Sequence, residues 1–221
     1  MAWTELTASD GHTLKALRLE PEGASRGAVV VAQEIFGINR HIQAVAARYA
    51  GLGYTAIAPA LFDRLERDVD LGYDEAGVTR GRELAMQLEA PHILADMGAA
   101  VASVADAGPV CTVGYCFGGA VVWGAAAHLP GLSCAASYYG SRILRMRDQA
   151  PKVPVIMHVG REDASFPIDE VREIAAAHDA VTLHEYDAGH GFNCDHRADF
   201  RPQAAAHALS RTLAFVETHA R

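Results

Sequence analysis

The fold is decided by one stretch of the chain, Val110-Cys111-Thr112-Val113-Gly114-Tyr115-Cys116-Phe117-Gly118-Gly119-Ala120. Four β-favouring residues lead into a Gly-x-Cys-x-Gly-Gly turn, and an alanine-rich segment of helical composition follows. This order predicts a strand, a sharp turn and a helix, with Cys116 at the tip, as in a nucleophile elbow. A nucleophile held on such a turn leaves no space for side chains two positions away, which explains Gly114 and Gly118. The alternative is an ordinary strand-to-helix turn that carries a buried cysteine.

Around this stretch, apolar strands alternate with helical segments from residue 28 onward. The other predicted strands in this part of the chain are 28–32, 55–59, 134–140, 155–160 and 182–186. The predicted helices are about 42–52, 92–105, 117–128, 168–178 and 202–219. The alternation predicts one α/β domain over residues 1–221, with a mainly parallel central sheet and helices on both faces.

Two segments depart from this alternation. Residues 3–7 and 13–19 show apolar alternation around Asp10-Gly11, a turn dipeptide, so we expect an N-terminal antiparallel hairpin. Residues 60–79 are acidic, have no clear period, and are predicted to form a long loop or a short irregular helix.

Composition excludes several classes of function. Half of the 221 residues are hydrophobic, which is globular composition, and the net charge of −8 argues against a nucleic-acid surface. An anionic small substrate remains compatible, because one local arginine outweighs a diffuse acidic surface. The start of the chain has no secretory leader pattern and no later stretch has the length of a membrane span, so we expect a cytoplasmic protein. The four cysteines lack metal-ligand spacing, which predicts reduced thiols and no metal.

A cysteine nucleophile needs a base and an orienting acid at the same edge of the sheet. Asp163 follows the strand 155–160, and His190 follows the strand 182–186 between two glycines, so nucleophile, acid and histidine occur in the α/β-hydrolase order. Glu162 is the alternative acid. The other candidate bases are less suitable, because they lie inside predicted strands or in a polar loop: His158, His184 and His196.

Three motifs, beside the Asp10-Gly11-His12 turn, carry a resemblance to a known family. They are Gln33-Glu34-Ile35-Phe36-Gly37, Gly114-Tyr115-Cys116-Phe117-Gly118-Gly119 and Gly189-His190-Gly191-Phe192. With these motifs the chain resembles the dienelactone hydrolase family, carboxymethylenebutenolidases of the α/β-hydrolase fold, over essentially its whole length.

The resemblance implies a triad of Cys116, His190 and Asp163, with Glu34 as an additional carboxylate near the thiol. It also implies an oxyanion hole formed by the backbone N–H groups of two residues that follow a strand and the elbow, Ile35 and Phe117.

The family binds its substrate carboxylate with arginines, and Arg82 resembles one of them, with Arg80 as the alternative. Where a second family arginine falls four residues after the histidine, this chain has Cys194, and the nearest arginine is Arg197. The remaining residues expected to line the pocket are Phe36 and Tyr138, with Tyr139 as the alternative tyrosine.

The sequence therefore predicts a cofactor-free, monomeric hydrolase that opens an unsaturated enol lactone through a cysteine acyl-enzyme. Its expected partner is an anionic lactone or ester, without nucleic acid or membrane. One alternative is a general carboxylesterase or thioesterase of the same fold. The other is a non-hydrolytic binding protein or sensor that uses Cys116 as a reactive thiol; retention of Glu34, Asp163 and His190 argues against it, because a sensor needs only the thiol.

Overall fold

The structure is a computed structural model that describes residues 2–219. Its strands are β1 (Ala2–Thr7), β2 (Thr13–Leu19), β3 (Ala28–Ala32), β4 (Thr55–Pro59), β5 (Val110–Tyr115), β6 (Leu132–Tyr138), β7 (Val155–Gly160) and β8 (Val181–Tyr186). Its α-helices are α1 (Arg40–Gly51), α2 (Glu75–Gln87), α3 (Ala90–Ser103), α4 (Phe117–His128), α5 (Ile168–Ala177) and α6 (Pro202–His219). Short 3₁₀ turns cover Leu61–Arg64, Ala105–Ala107 and Ser141–Arg145.

The eight strands form one sheet in the order β1-β2-β4-β3-β5-β6-β7-β8. β2 pairs antiparallel with β1 and with β4, and every pair from β4 to β8 along the sheet is parallel. This arrangement confirms the α/β-hydrolase fold and the N-terminal hairpin that the sequence predicts. β5 lies at the centre, so the turn that follows it opens at the middle of the carboxyl edge of the sheet, where α/β proteins bind ligands.

Helices cover both faces of the sheet and enclose two apolar cores. Helices α1 and α6 pack on one face, and α2 to α5 pack on the other. β3, β4, β5 and β7 are buried along their whole length, which explains their mainly apolar sequences. Within residues 2–219, no helix has both the length and the apolar character needed to cross a membrane.

Helix α2 differs from the sequence prediction, because its first turns lie in a segment expected to be irregular. Asp74 caps it by accepting a hydrogen bond of 2.8 Å from the backbone N–H of Gly77. Glycines weaken the helical signal of the segment. A side chain at Gly81 would collide with the backbone carbonyl of Ile35, so this glycine allows α2 to pack directly against the end of β3. The close approach brings α2 to the edge of the central turn.

Candidate active site

The turn after β5 has the geometry of a nucleophile elbow. Cys116 has φ 54° and ψ −112°, a conformation that few non-glycine residues adopt and that costs about 1–3 kcal/mol. Its backbone N–H donates to the carbonyl of Tyr138 at 3.0 Å, and its own carbonyl accepts from the N–H of Gly119 at 3.0 Å. A side chain at Gly114 would collide with the backbone of Gly118. The surrounding backbone therefore fixes the position of the cysteine.

Cys116, His190 and Asp163 form a continuous chain of polar contacts. His190 Nε2 lies 3.1 Å from Cys116 Sγ, and His190 Nδ1 lies 2.7 Å from Asp163 Oδ2. The other carboxylate oxygen of Asp163 accepts from the Ser165 hydroxyl at 2.6 Å and from the Ser165 N–H at 2.9 Å. Glu162, the alternative acid, is exposed. The structure therefore brings together the three residues that the sequence predicts as a triad.

The electrostatics of this chain favour an imidazolium between two acidic groups. Burial lowers the pKa of His190, but hydrogen bonds to Asp163 and Cys116 outweigh it and raise the pKa to about 10. Burial raises the pKa of Asp163, but the contacts with His190 and Ser165 reverse the shift and leave the pKa below its ordinary value. His190 is therefore suited to take a proton from the thiol and to hold it.

The other candidate histidines lie elsewhere. His158 is buried in the core, where its ring nitrogens lie 2.8 Å from the Tyr186 hydroxyl and 2.9 Å from the Thr212 hydroxyl. His184 stacks on His158 with ring centroids 5.8 Å apart. His196 is exposed and stacks on a tyrosine of the loop before α2. These positions leave His190 as the histidine in contact with the elbow.

Glu34 follows β3 and is fully buried beside the elbow, at 0% exposure. Its Oε2 accepts a hydrogen bond of 3.2 Å from the Tyr73 hydroxyl, while Oε1 has no hydrogen-bond partner among residues 2–219. The side chain is grouped with His41 and Cys194, and no hydrogen bond in the described part of the chain joins it to Cys116. The carboxylate that the resemblance implies as an additional group near the thiol is thus held by a hydrogen bond from Tyr73.

The thiol opens into a cavity of about 720 Å³. Ile35, Phe36 and Phe117 are in its lining, and so is Arg82, which is exposed on α2. Phe117 is the first residue of α4, so its N–H belongs to the helix-start groups that have no intrahelical acceptor. A cavity of this size fits a small-molecule ester or lactone.

Arg197 and Arg80, two predicted alternatives for the carboxylate anchor, differ in whether they line the cavity. Arg197 lies in the lining of the cavity, 4.0 Å from Asp199. Arg80 lies outside that lining and forms ion pairs with Glu66 at 2.5 Å and with Glu83 at 3.1 Å. Arg82 and Arg197 therefore remain candidates for an anchor, and Arg80 is engaged elsewhere.

Sequence reasoning missed two further cavity arginines, Arg142 and Arg145, on the 3₁₀ turn after β6. Arg142 donates to the carbonyl of Ala85 at 2.8 Å, and its guanidinium lies 5.3 Å from the ring centre of Phe117. Burial lowers the pKa of Arg142, and the nearby Cys116 partly offsets this effect. The signal that points to both arginines is their position directly after a strand that ends at the carboxyl edge of the sheet.

Tyr138 does not line the cavity, which corrects the sequence prediction. Its side chain is fully buried, and its hydroxyl lies 2.7 Å from the Thr212 hydroxyl of α6. The ring therefore faces the core under α6. Tyr139, the alternative, is also buried, but its ring packs edge-on against His190 with centroids 5.1 Å apart. Tyr139 thus contacts the imidazole, and Tyr138 stabilises the core.

Comparisons with known proteins agree with this fold. The family model for "Dienelactone hydrolase family" matches residues 14–220. The carboxymethylenebutenolidase of Pseudomonas sp. (strain P51) is 34% identical over 213 residues, covering 90% of this chain and 88% of its own. A Klebsiella pneumoniae subsp. pneumoniae protein, assigned as a dienelactone hydrolase, has a crystal structure that matches with a TM-score of 0.82 at 30% identity, covering 97% of this chain and 98% of its own. The chain therefore belongs to the dienelactone hydrolase family and is a carboxylic ester hydrolase.

Proposed function

We propose that this enzyme opens an unsaturated enol lactone that bears a carboxylate, of the dienelactone type, through a thioester on Cys116. The observation that carries the proposal is the contact chain from Cys116 through His190 to Asp163, at the mouth of a cavity that contains arginines. The Cys116–His190–Asp163 contacts supply an activated nucleophile, and the arginines supply positive charge for an anionic substrate. The family membership supports the same chemistry.

In the acylation step, Cys116 Sγ gives its proton to His190 and attacks the lactone carbonyl carbon. The N–H groups of Ile35 and Phe117 are proposed to hold the oxyanion of the tetrahedral intermediate. Collapse of the intermediate breaks the bond between the carbonyl carbon and the ring oxygen. The ring oxygen leaves as an enolate, which needs little assistance, and it remains attached to the acyl group because the ring is opened.

In the deacylation step, water attacks the thioester. The enolate takes a proton from that water as the hydroxide adds to the thioester carbonyl, the carbon–sulfur bond breaks, and the departing thiolate recovers its proton from the His190 imidazolium. The product carries a new carboxylate, and the enol becomes a ketone by proton transfer. Asp163 keeps the imidazole in one orientation through both steps.

Glu34 is proposed as an auxiliary base for the thiol. Its carboxylate bonds to the Tyr73 hydroxyl, so it reaches the thiol only after that contact is released. A base that reaches Cys116 when substrate enters would generate thiolate on demand and would limit oxidation of the resting thiol. His190 is already in contact with the sulfur, so the structure favours His190 as the main proton acceptor.

The substrate carboxylate is proposed to bind Arg82, with Arg142 and Arg197 in the same cavity. A guanidinium binds a carboxylate by two parallel hydrogen bonds, which also fixes the orientation of the lactone ring. With Arg145, four arginines line this cavity, and they compensate for Cys194 in the position of a family arginine.

The deciding experiment measures kcat/KM for dienelactone beside kcat/KM for its neutral methyl ester, from the loss of ultraviolet absorbance at pH 7. We expect the acid to be preferred by roughly tenfold or more, since one charged hydrogen bond is worth about 1.5–3 kcal/mol. Equal or ester-favouring rates would identify a general esterase or thioesterase. No turnover of either compound would contradict the lactonase proposal and make the thiol-sensor alternative the next one to test.

Two variants on one helix sharpen this experiment. Arg82→Ala should raise KM for the acid by roughly tenfold and leave KM for the ester nearly unchanged, because it removes one charged contact. Arg80→Ala is the matched control: it lies two residues away, faces Glu66 and Glu83, and does not line the cavity. Equal changes for acid and ester in Arg82→Ala would show that Arg82 is not the carboxylate anchor.

A further inference from the structure

The structure places a carboxylate, an imidazole and a thiol together in the interior, outside the predicted triad; the imidazole packs edge-on against Tyr115, the last residue of β5, with ring centroids 5.7 Å apart. Glu34 comes from the segment after β3, His41 from the first turn of α1, and Cys194 from the loop after His190. One ligand atom from each of them lies within 4.8 Å of the other two. We propose that these three residues form a binding site for a divalent transition metal of the zinc type.

All three side chains are buried, at 0% exposure for Glu34, 2% for His41 and 0% for Cys194. Among residues 2–219, neither Glu34 Oε1 nor His41 Nε2 has a hydrogen-bond partner. Buried polar atoms are normally paired, because leaving one unpaired costs about 1–3 kcal/mol. A cation bound between these atoms would satisfy both and would compensate the buried carboxylate.

Residues around the cluster are placed to orient its ligands. The Tyr73 hydroxyl donates to Glu34 Oε2 at 3.2 Å, so Oε1 is the free oxygen. The carboxylate of Asp195 lies 3.7 Å from His41 Nδ1, on the opposite side of the ring from the unpaired Nε2. A carboxylate beside the second nitrogen of a metal-binding histidine is a recurring arrangement that fixes the ring.

The donor set selects the ion. Thiolate sulfur, imidazole nitrogen and carboxylate oxygen together are zinc ligands, whereas Mg²⁺ and Ca²⁺ take oxygen ligands. Metal–ligand bonds of about 2.0–2.3 Å place the ligand atoms of a tetrahedral site about 3.3–3.8 Å apart. Side-chain movements of about 1 Å would therefore close the three groups around one ion. Three protein ligands leave a fourth position for water.

The site shares Glu34 with the proposed chemistry of the lactone, but metal binding is measured without turnover and does not depend on that chemistry. A bound metal would hold Glu34 in its buried position, away from Cys116. The metal would also supply positive charge beside the buried carboxylate of Glu34.

The test titrates metal-free full-length protein with Co²⁺ and follows the thiolate-to-cobalt charge-transfer band, with Zn²⁺ binding measured by calorimetry. We expect one equivalent of each metal to bind. Cys194→Ser should lose the charge-transfer band and bind Zn²⁺ at least about tenfold more weakly, since it replaces a ligand with a group of similar size. Near-ultraviolet circular dichroism and Tm establish that this variant is folded.

Cys116→Ala is the matched control, because Cys116 and His190 also offer a sulfur and a nitrogen 3.1 Å apart. We expect this variant to keep the band and its stoichiometry, and Zn²⁺ should raise its Tm. The double variant Cys116→Ala/Cys194→Ser should show no such rise. The proposal is overturned if the unmodified protein binds no metal, or if the band disappears in Cys116→Ala and persists in Cys194→Ser.

Discussion

Two groups of polar residues flank the elbow, and they differ in how their atoms are paired. In the Cys116–His190–Asp163 chain, both imidazole nitrogens and both carboxylate oxygens have partners at 3.1 Å or less. In the cluster of Glu34, His41 and Cys194, Tyr73 donates a hydrogen bond to one oxygen of Glu34. The other oxygen, Oε1, and His41 Nε2 have no hydrogen-bond partner within residues 2–219.

This difference in pairing indicates that the two groups of buried polar residues serve different purposes. A fully paired chain holds its atoms in one arrangement, so proton transfer along it needs little reorganisation. An incompletely paired cluster lowers the stability of the folded state, because its buried polar atoms have lost water without gaining a partner. A ligand that binds these atoms therefore stabilises it. We therefore expect catalytic turnover to depend most strongly on the first group and metal binding to depend on the second.

The largest expected effect comes from Cys116→Ala. Removing the nucleophile should lower kcat by about 10⁴-fold or more, because the other groups have no covalent intermediate to act on. The measurement is turnover of the preferred lactone, with Tm as the check of folding. Cys134→Ala, which removes a buried thiol of β6, is the control and should retain turnover within about threefold. Normal turnover by Cys116→Ala would contradict the proposed mechanism.

The next largest effects are expected from substitutions of the two buried carboxylates, Asp163 and Glu34. Asp163→Asn should lower kcat by about 10³–10⁴-fold, since the amide no longer holds the imidazole in the required protonation state. Glu34→Gln should cost less, about 10–100-fold, because His190 still contacts the sulfur. Steady-state kinetics of both variants at pH 7 decide the order. A larger loss in Glu34→Gln would make Glu34 the principal base and reverse the comparison.

Sequence reasoning grouped Cys116, His190 and Asp163 as a predicted triad because each of them follows a strand that ends at one edge of a parallel sheet, and the structure places the three in contact. The central strands were predictable, since strands buried on both faces have nearly continuous apolar sequences. Helix α2 was missed because its glycines and charged residues hide its period, although Asp74 is a typical N-cap.

Contacts between side chains from distant segments could not be predicted from the sequence pattern. Glu34, His41 and Cys194 come from three segments, and no spacing along the chain connects them. Tyr138 and Tyr139 are adjacent in sequence, but Tyr138 faces Thr212 of α6, whereas the ring of Tyr139 reaches His190. Which tyrosine contacts the site depends on how α6 packs, and this is fixed only in the folded molecule.

A smaller effect concerns the pH dependence of stability. The raised pKa of His190, about 10 against an ordinary value of 6.5, stabilises the folded state fully below pH 6.5, and this stabilisation is lost as pH rises toward 10. The difference in free energy of unfolding between the unmodified protein and His190→Gln should therefore shrink over that range, by at most about 1.4 kcal/mol per pH unit. Urea denaturation at several pH values measures it.

The matched variant for this pH experiment is Glu34→Gln, which leaves the Cys116–His190–Asp163 chain intact. The unmodified protein and Glu34→Gln should lose stability in parallel between pH 6.5 and 10. If the difference between the unmodified protein and His190→Gln stays constant with pH, the imidazolium is not held by the chain, and the electrostatic distinction between the two groups fails.

The smallest effect is expected from Tyr138→Phe. Its hydroxyl contacts Thr212, which keeps a second contact of 2.9 Å with His158, so the loss should be about 1 kcal/mol in the free energy of unfolding. Tyr73→Phe removes two hydrogen bonds, one accepted from Asn39 Nδ2 and one donated to Glu34, and should cost about 2 kcal/mol. Turnover by Tyr138→Phe should stay within about twofold. A clear rise in KM for Tyr138→Phe would instead place this ring at the substrate and connect the core under α6 to the cavity.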